Sequence, residues 1–110
     1  MSTVALRRLL AVCGLLMVLM FSRSVWADEG ADIRARMARG DLAGALQQAT
    51  AASAAKPADA QLRFLHALVL MDLARDTEAL GLFQSLSQDY PELPEPLNNI
   101  ALLQARGGRL

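Results

Sequence analysis

The residue types able to do chemistry are few in this sequence. His66 is the only histidine, and it stands inside an apolar run. Ser53, Ser85 and Ser87 would need a base to become nucleophiles, and that single imidazole is the only candidate. A metal site needs several ligands, and none is spaced around His66. His66 therefore reads as a partly buried core or interface histidine. Cys13 is the only cysteine and lies in an apolar N-terminal run, so thiol catalysis, disulfides and cysteine metal sites are excluded downstream. Gly107-Gly108 lacks the other residues of a phosphate-binding loop. The carboxylates are scattered at expected helix starts and turns, where they favour the helix dipole. No catalytic set, cofactor site or metal site is expected. The chemistry that remains is recognition. Phe64, Leu68 and Met71 recur at four- and three-residue spacing beside a separate stripe of Leu62, Leu65, Val69 and Leu73. A helix apolar on two faces is buried on both or binds something, and Met and Phe suit an adaptable apolar surface.

Helices must position these residues. From Asp59 to Arg75 there is no Gly or Pro, and the apolar spacing is helical. Pro57 is placed to open this helix, because its missing N–H has no intrahelical partner in the first turn. Arg75-Asp76 reads as a short polar turn. Thr77 to Asp89 forms a second helix with Leu80, Phe83 and Leu86 on one face. Pro91, Pro94 and Pro96 interrupt it, and another helix runs from about Glu95 to Arg106, ended by Gly107-Gly108. Upstream, Glu29 to Arg39 reads as a helix ended at Gly40, and Leu42 to Ala55 as its alanine-rich partner. Alanine favours helix but buries little apolar area, so this first pair should be the weaker one.

The N-terminus differs from the rest. Residues 1–27 carry three arginines and no acidic residue, while all 11 acidic residues lie from Asp28 onward. Arg7-Arg8, the apolar run Leu9 to Phe21 and the small-residue site Val25-Trp26-Ala27 fit a secretory signal peptide cleaved after Ala27. The run is shorter than the ~20 residues that span a bilayer as a helix; the alternative is an uncleaved N-terminal membrane anchor. Leu10-Ala11-Val12-Cys13 resembles a lipoprotein signal only loosely, because Val12 is bulky where a small residue is needed. The expected organisation is a signal peptide over 1–27 and one helical domain over 28–110. That domain has eight basic and eleven acidic side chains, a net charge of −3, which argues against a nucleic-acid partner.

Two markers repeat with one period. Ala45 and Ala79 are 34 residues apart, and so are Pro57 and Pro91. With this period the chain resembles the tetratricopeptide repeat (TPR) family. In the middle repeat, about Ala60 to Leu93, Ala67 and Leu70 stand at the family's small and tyrosine sites on the first helix. Ala79, Phe83 and Pro91 match on the second. Arg63 and His66 depart from the pattern, which has an aromatic and a leucine there. A third repeat opens with Leu97-Asn98-Asn99-Ile100-Ala101. The first keeps Gly40, Ala45 and Pro57. The resemblance covers nearly all of 28–110 and implies an all-α helix-turn-helix solenoid of about two and a half repeats, five helices in all.

The resemblance also implies where function sits. The first helices of successive repeats line a concave groove that takes a peptide or helix of a protein partner. Gln61, Phe64, Leu68, Met71 and Asp72 fall on that face of the middle repeat, and Asn98 on the third, with Asn99 structural. Arg34, Arg36 and Arg106 are candidate cationic contacts, and each is otherwise a solvated helix arginine. The expected function is an interaction module, scaffold or adaptor, in the periplasm or cell envelope, without membrane insertion after signal cleavage. The alternative is the N-terminal or accessory region of a longer envelope protein or enzyme. The third repeat has only its first helix in this sequence. Its expected fates are a bare cap, a fragment of a longer reading frame, or completion by a partner, homo-oligomerisation included, and the fragment is favoured.

Overall fold

A computed structural model describes residues 3–5, 7–8 and 29–108. Residues 3–5 and 7–8 are helical. Most of the expected signal peptide, its cleavage site after Ala27 and Cys13 lie outside the described residues. Among those described, no helix is long and apolar enough to cross a membrane.

The described residues fold as an all-helical structure, as expected. Within residues 29–108 five helices follow one another: α1 at 29–38, α2 Leu42–Ala55, α3 Ala60–Asp72, α4 Asp76–Asp89 and α5 Pro94–Arg106. Helices α2 to α5 each pack on the next in sequence, and short connections make them helix-turn-helix hairpins.

The 34-residue period extends to the backbone. Gly40, Ala74 and Gly108 have φ of 78°, 59° and 72° and lie 34 residues apart. They follow α1, α3 and α5, and each donates its N–H three residues back, to Met37, Met71 and Ala105 respectively. Asp41 and Arg75 then donate to Arg36 and Leu70 at 2.9 Å. These paired bonds satisfy the last carbonyls of α1 and α3 and turn the chain into the second helix. At the other end of each hairpin, Lys56 and Tyr90 share φ/ψ of −130°/69° and −132°/70°. One turn is thus used between the helices of a hairpin and another between hairpins.

Local capping refines the expected boundaries. Pro57 does not open α3. It lies with Ala58 in a turn, and Asp59 is the N-cap, its carboxylate accepting from the N–H groups of Gln61 and Leu62. The helix stops at Asp72 rather than Arg75, because Ala74 has turned left-handed. Helix α4 starts one residue early, at Asp76, with Asp76 and Glu78 in its first turn. Pro94 occupies the first position of α5, where proline is tolerated. Asp41 caps α2 through Gly44 N–H at 3.0 Å and pairs with Arg36 at 2.9 Å. Those two donors hold its carboxyl below the ordinary 3.8.

The core has two parts that meet across α3. Ile33, Ala45, Ala49 and Ala52 pack against Leu62, Leu65 and Val69. Ala67 and Leu70, on the other side of α3, pack with Ala79, Phe83 and Leu103. Helix α3 is apolar on two faces because it is the middle layer. Polar contacts cross between neighbouring helices at the margins. Lys56 pairs with Glu29 at 3.1 Å, Arg63 with Asp89 at 2.7 Å and Arg106 with Asp76 at 3.1 Å. Arg63 also donates to Ser85 and lies over the Tyr90 ring, and the Tyr90 hydroxyl donates to Ala58 C=O at 2.7 Å.

Candidate functional site

A cleft of about 320 Å³ opens between α3 and α5, over one side of α4. Ala60, Gln61 and Phe64 from α3, Leu86 from α4, and Leu93, Glu95 and Pro96 at the start of α5 form its walls. Its position follows from the repeat, because Gln61 and Glu95 are equivalent residues 34 apart, as are the N-caps Asp59 and Leu93. First helices of adjacent hairpins therefore present the same turn to the same side. The Phe64 ring meets Phe83 edge to face, with centroids 5.6 Å apart, which fixes the apolar wall. With the Gln61 amide turned so that its oxygen faces Arg34, it accepts from both guanidinium Nη atoms. Glu95 supplies a carboxylate at the opposite rim, and both Gln61 and Glu95 are exposed.

The structure brings together only part of the expected groove set. Gln61 and Phe64 line the cleft. Leu68 and Met71 are half-buried against the second core cluster, and Leu68 also touches the first. Much of the second apolar stripe is therefore occupied by intramolecular packing. Asp72 and Asn98 are exposed and are not among the cleft walls. Asn99 donates to Glu95 C=O at 2.9 Å, a helix-internal bond. Of the three arginines, Arg36 is bound to Asp41 and Gln48, Arg106 to Asp76, and Arg34 alone points to the cleft rim through Gln61. Sequence reasoning missed Leu86, Leu93, Glu95 and Pro96. The 34-residue offset from Gln61 to Glu95 was the available signal, since it marks the position on the next first helix.

A second cavity, of about 480 Å³, lies on the side of α3 flanked by α2 and α4. Thr50, Ser53, Arg63, His66, Ser85 and Asp89 line it with Ala54, Pro57 and Leu82. His66 Nδ1 is 3.1 Å from Ser53 Oγ, and Nε2 is 3.3 Å from Thr50 Oγ1. The Thr50 hydroxyl donates to Leu46 C=O at 2.7 Å, so it can only accept from Nε2–H. That tautomer leaves Nδ1 as an acceptor, and the single Ser53 hydroxyl proton is shared between it and Thr50 C=O at 3.3 Å. Burial lowers the His66 pKa below the ordinary 6.5; the Glu78 charge opposes this and the Arg75 charge adds to it. A serine against a neutral imidazole resembles a nucleophile and its base. The outer nitrogen, however, meets a threonine hydroxyl rather than a carboxylate, and Asp89 is engaged by Arg63. The arrangement ties α2 to α3. Among the described residues no cluster of His, Cys, Asp and Glu could hold a metal ion. No family model, curated protein or solved structure matches the chain.

Proposed function

We propose that this chain is a protein-interaction module of the periplasm or cell envelope. In this reading it takes a partner's peptide or helix on the side where the first helices of its hairpins lie. The observation that carries the proposal is the apolar cleft between α3 and α5, with polar groups confined to its rims. Its volume lies at the lower end of the ~300–1,000 Å³ usual for ligand pockets, a size for one or two side chains of a peptide rather than a whole folded surface. Phe64, Leu86, Leu93 and Pro96 offer those side chains a dry wall. Gln61 and Glu95 stand where a peptide backbone or a basic side chain can hydrogen-bond. The resemblance to TPR proteins, which use this side, supports the same reading. The basic N-terminal residues, apolar run and small-residue site favour export.

Site-specific photo-crosslinking from Gln61 in intact cells, followed by mass spectrometry, tests this. Gln61 is exposed at the rim, so a crosslinker there does not disturb the core. A discrete heterologous protein captured at Gln61, and not from exposed Gln88 on α4, is the expected result. Equal capture from both positions, or none from Gln61, would overturn the reading.

A further inference from the structure

The cleft between α3 and α5 carries opposite charges at its two rims. Gly30 of α1, Phe64 of α3 and Asn98 of α5 are counterparts, each 34 residues from the next. On α3 the Phe64 ring walls the cleft. On α1 no side chain fills the equivalent place, and the Arg34 guanidinium lies close to it. A Cβ built on Gly30 would stand 3.8 Å from Arg34 Nη1 and 3.9 Å from the Gln61 amide. Arg34 donates to the Gln61 side-chain oxygen, which holds a positive charge at the α3 rim. Glu95 holds a negative charge at the α5 rim, and Phe64, Leu86, Leu93 and Pro96 lie between the two.

Most other cations of the domain are already engaged. Arg36, Lys56, Arg63, Arg75 and Arg106 each pair with a carboxylate, and the Arg39 charge acts on Asp41. Arg34 and Glu95 are exposed and, among the described residues, form no ion pair. The neutral Gln61 amide orients the guanidinium without cancelling its charge. The order across the cleft is thus cation, apolar seat, anion. A peptide with one side chain in the seat brings a neighbouring residue to each rim. Helices flanking a cleft of this width stand on the order of 10 Å apart, which about three residues of extended chain span. Complementary charge then favours an acidic residue at Arg34 and a basic one at Glu95, and like charge at either rim is repelled.

We infer that the partner segment is an extended peptide with an apolar side chain set between an acidic and a basic residue. The apolar side chain fills the cleft, the acidic one pairs with Arg34 and the basic one with Glu95. This rests on the cleft being the binding site, and the test separates the two. A phage-displayed library of random heptapeptides is selected on the full chain, immobilised through a C-terminal tag in mild detergent. Enriched peptides should carry a Leu, Ile, Met or Phe with Asp or Glu on one side and Lys or Arg on the other. Selection on Arg34→Glu should give basic flanks on both sides, and selection on Glu95→Lys acidic flanks on both. Peptides enriched on the parent should bind each variant about three- to tenfold more weakly, the scale of an exposed attraction turned into a repulsion. Ala60→Trp, which sets an indole in the cleft wall, should abolish their binding. Circular dichroism should show unchanged helix content in all three variants, which separates lost binding from lost folding. Enriched apolar peptides without flanking charges, or flanks that are the same on parent and charge variants, would overturn the inference and leave the cleft as the binding site. Peptides that bind Ala60→Trp as well as the parent, or no enrichment at all, would overturn both.

Discussion

The hairpins α1–α2 and α3–α4 share a backbone and differ in what fills it. Their left-handed residues, Gly40 and Ala74, and their N-caps, Asp41 and Arg75, occupy equivalent positions with similar dihedrals. On the second helix, α2 buries Ala45, Ala49 and Ala52, where α4 buries Ala79, Phe83 and Leu86. Chain geometry here is set by turns and caps, while the depth of the core is set independently by side-chain size. Burying a Phe or Leu contributes about 1.5–3 kcal/mol and an alanine methyl much less. Polar ties surround the thin core of the first hairpin and join it to α3. Arg36 bridges to Asp41 and Gln48, Lys56 to Glu29, and His66 holds Thr50 and Ser53.

If that division is right, the largest effect comes from removing the side chain that the first hairpin lacks. Phe83 is fully buried and meets Phe64 and the second cluster. Phe83→Ala gives α4 the small residue that α2 carries at Ala49, and should cost about 3–5 kcal/mol in denaturant unfolding. The hairpin α3–α4 was built around the larger ring and cannot collapse fully onto alanine. A loss below ~1 kcal/mol would mean that the core of the second hairpin is no more dependent on its side chains than the first.

The reciprocal change sharpens the same point. Ala49 is fully buried between α1 and α3, in contact with the cluster of Ile33, Leu65 and Val69. Enlarging it to the counterpart residue, Ala49→Phe, should destabilise by about 1–3 kcal/mol through overpacking. A gain in stability would instead show that the first hairpin holds unfilled space and that its alanines limit it.

These differences explain what could be read from the sequence. The period, the helix order and the all-α class were legible because Ala45/Ala79 and Pro57/Pro91 are local marks with a physical role at each site. The thin core of the first hairpin followed from its alanines. The groove assignment was less legible. Phe64, Leu68 and Met71 form a real stripe, but a periodic pattern cannot say which apolar face a neighbouring helix already covers. Here Leu68, Met71 and Phe64 all pack against the second cluster, and only Phe64 of the three also lines the cleft. The boundary at Ala74 was hidden for a different reason: alanine ordinarily favours helix, and only the tertiary turn makes it left-handed.

The contact of His66, on α3, with Thr50 and Ser53 of α2 carries a pH dependence. The folded pKa of His66 is lowered below 6.5, first by burial. Between that folded value and 6.5 the unfolded chain binds a proton that the folded chain does not. Stability is therefore full above pH 6.5 and falls as pH drops toward the folded pKa, below which the loss levels off. Unfolding titrations between pH 8 and pH 5, compared with His66→Gln, should show this fall in the parent and a flatter profile in the variant. Parallel profiles would remove His66 from the account of how α2 is held to α3.

The smallest expected effect tests the shared backbone itself. Gly40 and Ala74 adopt the same left-handed turn, a conformation that costs an L-residue about 1–2 kcal/mol and glycine almost nothing. Glycine also loses more entropy on folding, by about 0.4–1 kcal/mol relative to alanine. Ala74→Gly should therefore stabilise the protein by roughly 0.5–1 kcal/mol. Gly40→Ala should destabilise it by a similar amount. No atom lies within 4 Å of a Cβ built on Gly40, so its cost is conformational and not steric. Thermal melts of the two variants should shift by a few degrees in opposite directions, about 4–8 °C per kcal/mol for a domain of this size. Shifts of the same sign would mean that the two turns, alike in dihedral angles, are not energetically equivalent, and that the hairpins differ in their backbone as well as in their cores.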